Sequence, residues 1–186
     1  MKRLHFKDVT GTNDITKSLI KVGETDILVS ADYQNKGRGK RGAVWYGERG
    51  KDLFMTSVLP VDGDNLQKYA VISCVGVFRV LKKHGFDVKI KEPNDIYLKG
   101  KKLCGILCEA EFFEKRAYMA VGVGINVFSE KFPEEIEATS LSLEKKDFKC
   151  SLESLCEEID TSIKKAYNEK FELSENEYYE NLYIKN

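Results

Sequence analysis

The sequence predicts an α+β domain, a mixed, largely antiparallel sheet covered by helices on one face. Three observations carry this. Strand-like segments come in runs with helices inserted between them, not in strict alternation. Three adjacent strand-like stretches between Lys91 and Val127 are separated by short turns, the pattern of an antiparallel meander. Residues 65–84 and 152–167 repeat their apolar positions at helical spacing.

The chain opens with alternating Arg3-Leu-His-Phe-Lys-Asp-Val9, a short strand, and Thr10 to Asp14 supply turn and helix-capping side chains. A helix from about Asp14 to Val22 should stop at Gly23. Asp26 to Tyr33 and Asp52 to Leu59 are apolar, branched runs bounded by polar residues, so both are expected as core strands. In the long central helix, Leu66, Tyr69, Ala70, Cys74, Val77, Val80 and Leu81 share one stripe, widened by Val71, Val75 and Phe78. Val88–Lys91, the Glu92-Pro93-Asn94-Asp95 corner, Ile96–Leu98, Lys101–Glu111 and Ala117–Val127 follow as strands and turns. Leu152, Leu155, Cys156, Ile159, Ile163 and Tyr167 form the face of a last helix, and the remainder is a polar, aromatic tail.

A chain of 186 residues, 42% hydrophobic and 32% charged, is long enough for one sizeable core and too short for two full-sized domains. Thirty Lys and Arg balance thirty Asp and Glu, so no global field draws the chain onto nucleic acid or an anionic membrane. No apolar run is long enough to span a bilayer, which predicts a cytoplasmic protein with no membrane partner. Five cysteines leave one unpaired in any disulfide scheme and lack zinc-ribbon spacing; Cys104 and Cys108 fit as small core residues in a reducing compartment.

The charge is distributed unevenly. Between Lys36 and Lys51 stand six cations, one anion and five glycines, a local anion site in a chain of zero net charge. The spacing fits neither a Walker loop nor the dinucleotide fingerprint. A cationic loop on its own is also compatible with a solvated surface run, but further signals accompany this one. Lys91 and Lys102 flank a hairpin whose Pro-Asn-Asp corner aims Asp95. Gly105, Gly122 and Gly124 lie in mid-strand, where glycine weakens a sheet unless something must approach the backbone, and Asn126 ends an otherwise apolar run. Together they describe a floor without side chains, on which a flat ligand would lie between lysines.

Gly37-Arg-Gly-Lys-Arg-Gly42 with Trp45, Lys91-Glu-Pro-Asn-Asp95, Lys101-Lys-Leu-Cys-Gly-Ile-Leu-Cys-Glu109 and Gly122-Val-Gly-Ile-Asn126 occur in one order and spacing. In these motifs the chain resembles the catalytic domain of biotin protein ligases. The resemblance implies the fold of the biotin and lipoate ligases, itself like that of the class II synthetases. It also implies a catalytic domain over residues 1–175 and, at 176–186, a tail where a small C-terminal β domain would begin. It adds the expectation of a member without a DNA-binding domain.

The implied chemistry is ATP-dependent formation of biotinyl-5′-AMP, with Mg2+, followed by transfer of biotin to one lysine of a biotin carboxyl carrier domain. Two acids that repel each other must meet, so fixed cations are needed, and Arg38, Lys40 and Lys102 are expected in that role. By the same resemblance Gly11, Thr12, Asn13, Gln34, Gly37, Arg38, Lys102 and Gly105 should meet biotin. Arg38, Lys40, Trp45, Lys91, Asn94, Gly124 and Asn126 should meet ATP. Asp95 should orient or deprotonate the incoming lysine and serve as the Mg2+ ligand.

Three residues depart from the family pattern: Gly11 replaces a serine, Lys40 an arginine, and Glu92 a tryptophan. A lipoate- or octanoate-type acyl ligase of the same fold and a non-catalytic biotin-binding relative remain as alternatives, as does a homodimer formed through an exposed sheet edge.

Overall fold

The computed structural model describes residues 1–184. Alternating side chains at the edges of the sheet and continuous apolar runs at its centre set up strands β1 (Lys2–Val9), β2 (Ile27–Gln34), β3 (Leu53–Pro60), β4 (Val88–Lys91), β5 (Asp95–Leu98), β6 (Lys101–Phe113) and β7 (Arg116–Ile125). They form one seven-stranded sheet in the order β1-β2-β3-β7-β6-β5-β4. Only β1 and β2 are parallel; every other neighbouring pair is antiparallel, and β5-β6-β7 is the expected meander.

Because side chains alternate along each strand, the two faces carry different cores. Leu53, Met55 and Leu59 of β3, Cys104 and Ile106 of β6, and Val121, Val123 and Ile125 of β7 point to one face. There they meet helix α2 (Lys68–Lys83) and helix α4 (Leu152–Asn168). Each fully buried Leu, Ile or Phe in this layer stabilises the fold by about 1.5–3 kcal/mol. The two helices approach closely where Gly76 leaves no side chain: a Cβ there would lie 2.7 Å from Ile163 Cα. Cys104 and Cys108 belong to this core, and burial pushes the Cys108 thiol up to about 12, so neither is a ready nucleophile.

Helix α1 (Thr12–Ile20) lies on the opposite face, where Ile20 packs with Val29, Val58 and Ala120. The long helices therefore cover one face as expected, and α1 stands apart beside the open half of the other. It begins at Thr12, two residues earlier than the capping pattern suggested, because Gln34 Oε1 accepts from Thr12 N at 2.7 Å and takes the place of a cap side chain. Helix α2 begins at Lys68, later than Asn65, and leaves Leu66 exposed. Short helix α3 (Leu141–Glu144) and helix α4 are capped by Ser140 and Ser151.

The tail is more ordered than its composition implied. Helix α5 (Phe171–Glu180) packs on α2 through buried Ser174 and Tyr178, and Arg79 of α2 forks to Glu169 and Glu177. Its few apolar positions gave no helical stripe to read. The chain then runs beside β4, with Ile90 N donating to Asn181 O and Tyr183 N donating to Ile90 O. That outer edge of the sheet is thus taken at Ile90. Lys185 and Asn186, the end of the expected 176–186 tail, lie outside the described residues. Among the described residues no helix is long and apolar enough to cross a membrane.

Candidate functional site

On the α1 face a cleft of about 260 Å³ opens between the N-terminus of α1, the end of β2, the cationic loop, the β4–β5 corner, and the middles of β6 and β7. It brings together Gly11, Thr12, Asn13, Gln34, Arg38, Lys40, Trp45, Asn94, Asp95, Lys102, Gly105 and Gly124. These positions span more than a hundred residues of sequence. Gly37, Lys91 and Asn126 do not line it.

One end of the cleft is neutral and polar. Thr12 Oγ1 lies 3.2 Å from Gln34 Oε1 and 2.8 Å from the hydroxyl of fully buried Thr56, which is also 2.8 Å from Asn13 Oδ1. Asn13 packs on Gly122, where a Cβ would sit 2.3 Å from Asn13 Oδ1, so that glycine makes room for the asparagine. The Asn13 amide donates to Leu107 O at 3.1 Å and to Glu109 Oε2 at 2.8 Å.

The other end is charged. Lys102 Nζ stands 2.8 Å from Asp95 Oδ2 and 5.5 Å from the centre of the Trp45 ring. Strict alternation would put Lys102 and Gly105, three residues apart, on opposite faces. The register between β5 and β6 slips at Leu103, since Ile96 pairs with Cys104 while Tyr97 pairs with Lys102. This bulge turns Lys102 to the cleft side and leaves Leu103 in the core. Asn94 holds the corner: its amide donates to Ile106 O, and Ile106 N donates back to Asn94 O at 2.9 Å. Asn94 was expected at ATP, but in this structure its side chain secures backbone and so fixes where Asp95 points.

The cationic loop is a flap closed on itself. Trp45 N donates to Gly37 O at 2.9 Å and Gly39 N to Ala43 O at 2.7 Å, around a single turn at Lys40–Gly42. A Cβ on Gly37 would lie 2.8 Å from Trp45 O, so Gly37 closes the stem of the flap and does not face the cleft as expected. Arg38 lines the cleft, yet its guanidinium is already paired with Asp14 and lies 3.5 Å from Glu109 Oε2. Glu109 also accepts from Lys17 Nζ at 2.9 Å. Burial raises the Glu109 carboxyl, but hydrogen bonds from Asn13 and Lys17 and the charges of Lys17 and Arg38 outweigh it and leave it below the usual range.

The glycine floor is where it was expected, but it is not bare. Gly105 pairs with Gly124 across β6 and β7, and the Trp45 indole lies on them: a Cβ on either would come within 2.6 Å of the ring. The missing side chains therefore seat an indole, whose buried Nε1 has no partner among the described residues. Lys91 pairs with Asp95 across β4 and β5 but does not line the cleft, because its ammonium turns to Tyr97, 3.2 Å from Oη and 4.6 Å from the ring centre. Glu92 is exposed and also outside it. Asn126 is buried and donates to Thr139 O at 3.0 Å. It lines a smaller adjoining cavity of about 80 Å³ with Trp45, Lys102, Phe132, Pro133 and Ile136.

Among the described residues no three His, Cys, Asp or Glu side chains cluster to hold a metal. Asp95 Oδ1 is buried and has no hydrogen-bond partner among the described residues. Sequence reading missed Glu109, Asp14 and Thr56 as members of the site. Glu109 and Gly105 are four residues apart and so share a face of β6, and an acid directly after the uncharged run Leu103–Cys108 was the available signal.

Residues 5–126 match the model of the biotin/lipoate A/B protein ligase family. The chain is 39% identical over 124 residues to the bifunctional ligase/repressor BirA of Bacillus spizizenii, covering 62% of this chain and 38% of that protein. It is 33% identical over 133 residues to biotin–protein ligase 2 of Arabidopsis thaliana, covering 66% of this chain and 40% of that protein. The match thus spans about two fifths of the length of these curated relatives. Biotin protein ligase from Aquifex aeolicus, solved in complex with biotin and ATP, superposes with a TM-score of 0.81 at 25% identity, over 97% of this chain and 78% of that one. The Leishmania major enzyme, at 21% identity, shares the fold with a TM-score of 0.85 over the whole of this chain and 83% of its own. Four motifs in order, the cleft they build and a family model covering most of the chain lead to one conclusion: this protein belongs to the biotin/lipoate A/B protein ligase family.

Proposed function

We propose that the protein is an ATP-dependent biotin ligase that forms biotinyl-5′-AMP and transfers biotin to a lysine of a biotin carboxyl carrier domain. The observation that carries this reading is the convergence of Lys102, Arg38 and Lys40 on one cleft whose far end is neutral and hydrogen-bonding. A ureido ring needs neutral donors and acceptors, which Thr12, Asn13 and Gln34 supply, while two anions meeting at the other end need cations. The relatives' names and the biotin and ATP in the Aquifex structure support the same choice.

In the first step a carboxylate oxygen of biotin attacks the α-phosphorus of ATP, an acyl–phosphate bond forms, and pyrophosphate leaves with the electrons of the broken P–O bond. Lys102 and Lys40 offset the repulsion between the two acids, and Arg38 becomes available as phosphate displaces it from Asp14. In the second step the carrier's lysine amine attacks the acyl carbon and AMP leaves. Asp95 orients that amine and accepts its proton, with Lys102 holding the carboxylate in place. The Trp45 flap excludes water and protects the anhydride.

Mg2+ bound to the triphosphate would neutralise charge there. Such an ion is held largely by phosphate and water and needs one or two carboxylates, so the free Asp95 Oδ1 fits it. Five free thiols suit a reducing compartment, the cytoplasm.

Incubation with α-labelled ATP and each of biotin, lipoate and octanoate tests the reading. Labelled acyl-adenylate with biotin alone is expected. Adenylate with lipoate or octanoate would reassign the substrate, and none with any acid would indicate a binding module.

A further inference from the structure

Asp52 is 1% exposed, and four donors converge on it. Val127 N donates to Oδ1 at 2.9 Å and Ser129 N at 3.3 Å, while Oδ2 accepts from Glu48 N at 2.9 Å and from the Ser129 hydroxyl. No cation pairs with it among the described residues. A buried carboxylate is costly unless its lone pairs are filled, and here two separate segments fill them.

The segments are the two walls of the smaller cavity. Glu48 follows Val44, Trp45 and Tyr46 of the flap; Val127 and Ser129 lead into Phe132, Pro133, Ile136 and Ala138. Two contacts run alongside, one between backbones and one to a side chain: Phe128 N donates to Lys51 O at 3.0 Å, and Glu130 N donates to Glu48 Oε1 at 3.3 Å. Gly47 completes the join, since a Cβ there would lie 2.4 Å from the Phe54 ring and 3.1 Å from Asp52 Oδ2. The flap's return strand is thus pressed onto the start of β3 with Asp52 as the knot between the walls.

We infer that Asp52 is a positioning residue for the nucleotide end of the site, acting through Trp45 and the Phe132–Ala138 segment without touching substrate. The inference rests on the ligase reading above. Asp52→Asn keeps the shape but turns an amide donor toward backbone donors, so the walls separate.

In Asp52→Asn the KM for ATP should rise about tenfold, the scale of one lost charge-assisted contact, while the KM for biotin stays within about twofold. Trp45 is the single tryptophan, so its emission in ligand-free protein should shift to the red as the ring leaves Gly105 and Gly124. Ser129→Ala, which removes one bond and keeps the carboxylate, should move both readouts in the same direction by less. Equal changes in both KM values, or an unchanged KM for ATP, would overturn the inference. If the wild type makes no adenylate, the ligase reading fails, and unshifted emission in Asp52→Asn would separately show that the knot does not set the flap.

Discussion

Lys102 Nζ and Asp95 Oδ2 lie 2.8 Å apart on the cleft side of the sheet, a pairing that depends on the register slip at Leu103. In the proposed mechanism this contact would give Asp95 two separable duties, holding the lysine in the first step and meeting the acceptor amine in the second. Asp95→Asn should still form adenylate, while transfer to a carrier domain falls by about 10²-fold or more, the usual contribution of a general base. Separate assays of labelled adenylate and of biotin on the carrier check this. Equal loss in both would leave Asp95 only the first duty.

Gly124 and Gly105 exist in this structure as the seat of Trp45. Gly124→Ala puts a methyl group 2.6 Å from the indole Cε2, and the ring must lift. Overpacking of this kind costs about 1–3 kcal/mol, so flap closure should weaken by about 5- to 150-fold while the core unfolds at nearly the same denaturant concentration. Trp45 emission and urea titration measured on the same sample separate the two effects.

Glu109 joins the neutral end of the cleft to the flap through Asn13, Lys17 and Arg38. Its carboxyl is depressed in the folded state, so its contribution is present above the usual glutamate value of 4.5 and is lost as the pH falls through the lower folded value. The stability difference between wild type and Glu109→Gln should therefore be constant at neutral pH and shrink below about pH 4.5. Urea midpoints of both proteins across pH 3–7 (roughly the range over which the carboxyl titrates) read this directly.

Gly11 caps α1 without a side chain, and its backbone, at φ −165, is extended and open to any residue. Gly11→Ser restores a hydroxyl at the neutral end of the cleft, provided Asp14 Oδ2, 3.3 Å from the new Cβ, gives slightly. One neutral hydrogen bond of about 0.5–1.5 kcal/mol predicts biotin binding two- to tenfold tighter, by calorimetry. Weaker binding would mean that Asp14 cannot move without releasing Arg38.

Much of this was legible in the sequence because it is periodic. The strands and the long stripes of α2 and α4 follow from apolar patterning and helical spacing, and the residues that gather in the cleft from four motifs and the family resemblance they carry. What escaped depends on relations that no single segment carries. The bulge at Leu103 is a property of two strands, and it decides which way Lys102 faces. The glycine floor was visible, but its occupant, Trp45, reaches it only through the fold of the flap. Lys91 sits directly across from Asp95 in the β4–β5 pairing, yet its ammonium turns to the Tyr97 ring and hydroxyl and not to the cleft. Helix α5 has too few apolar residues to announce itself and is fixed by Arg79 and the burial of Tyr178.

The central claim is that Lys102, Arg38 and Lys40 draw two repelling acids together beneath the flap. A crystal structure with biotin and a non-hydrolysable ATP analogue tests it most directly. The account predicts Lys102 Nζ within hydrogen-bonding distance of both the biotin carboxylate and the α-phosphate, with Arg38 turned from Asp14 to phosphate. A carboxylate bound away from Lys102, or Arg38 still paired with Asp14 in the filled site, would contradict it.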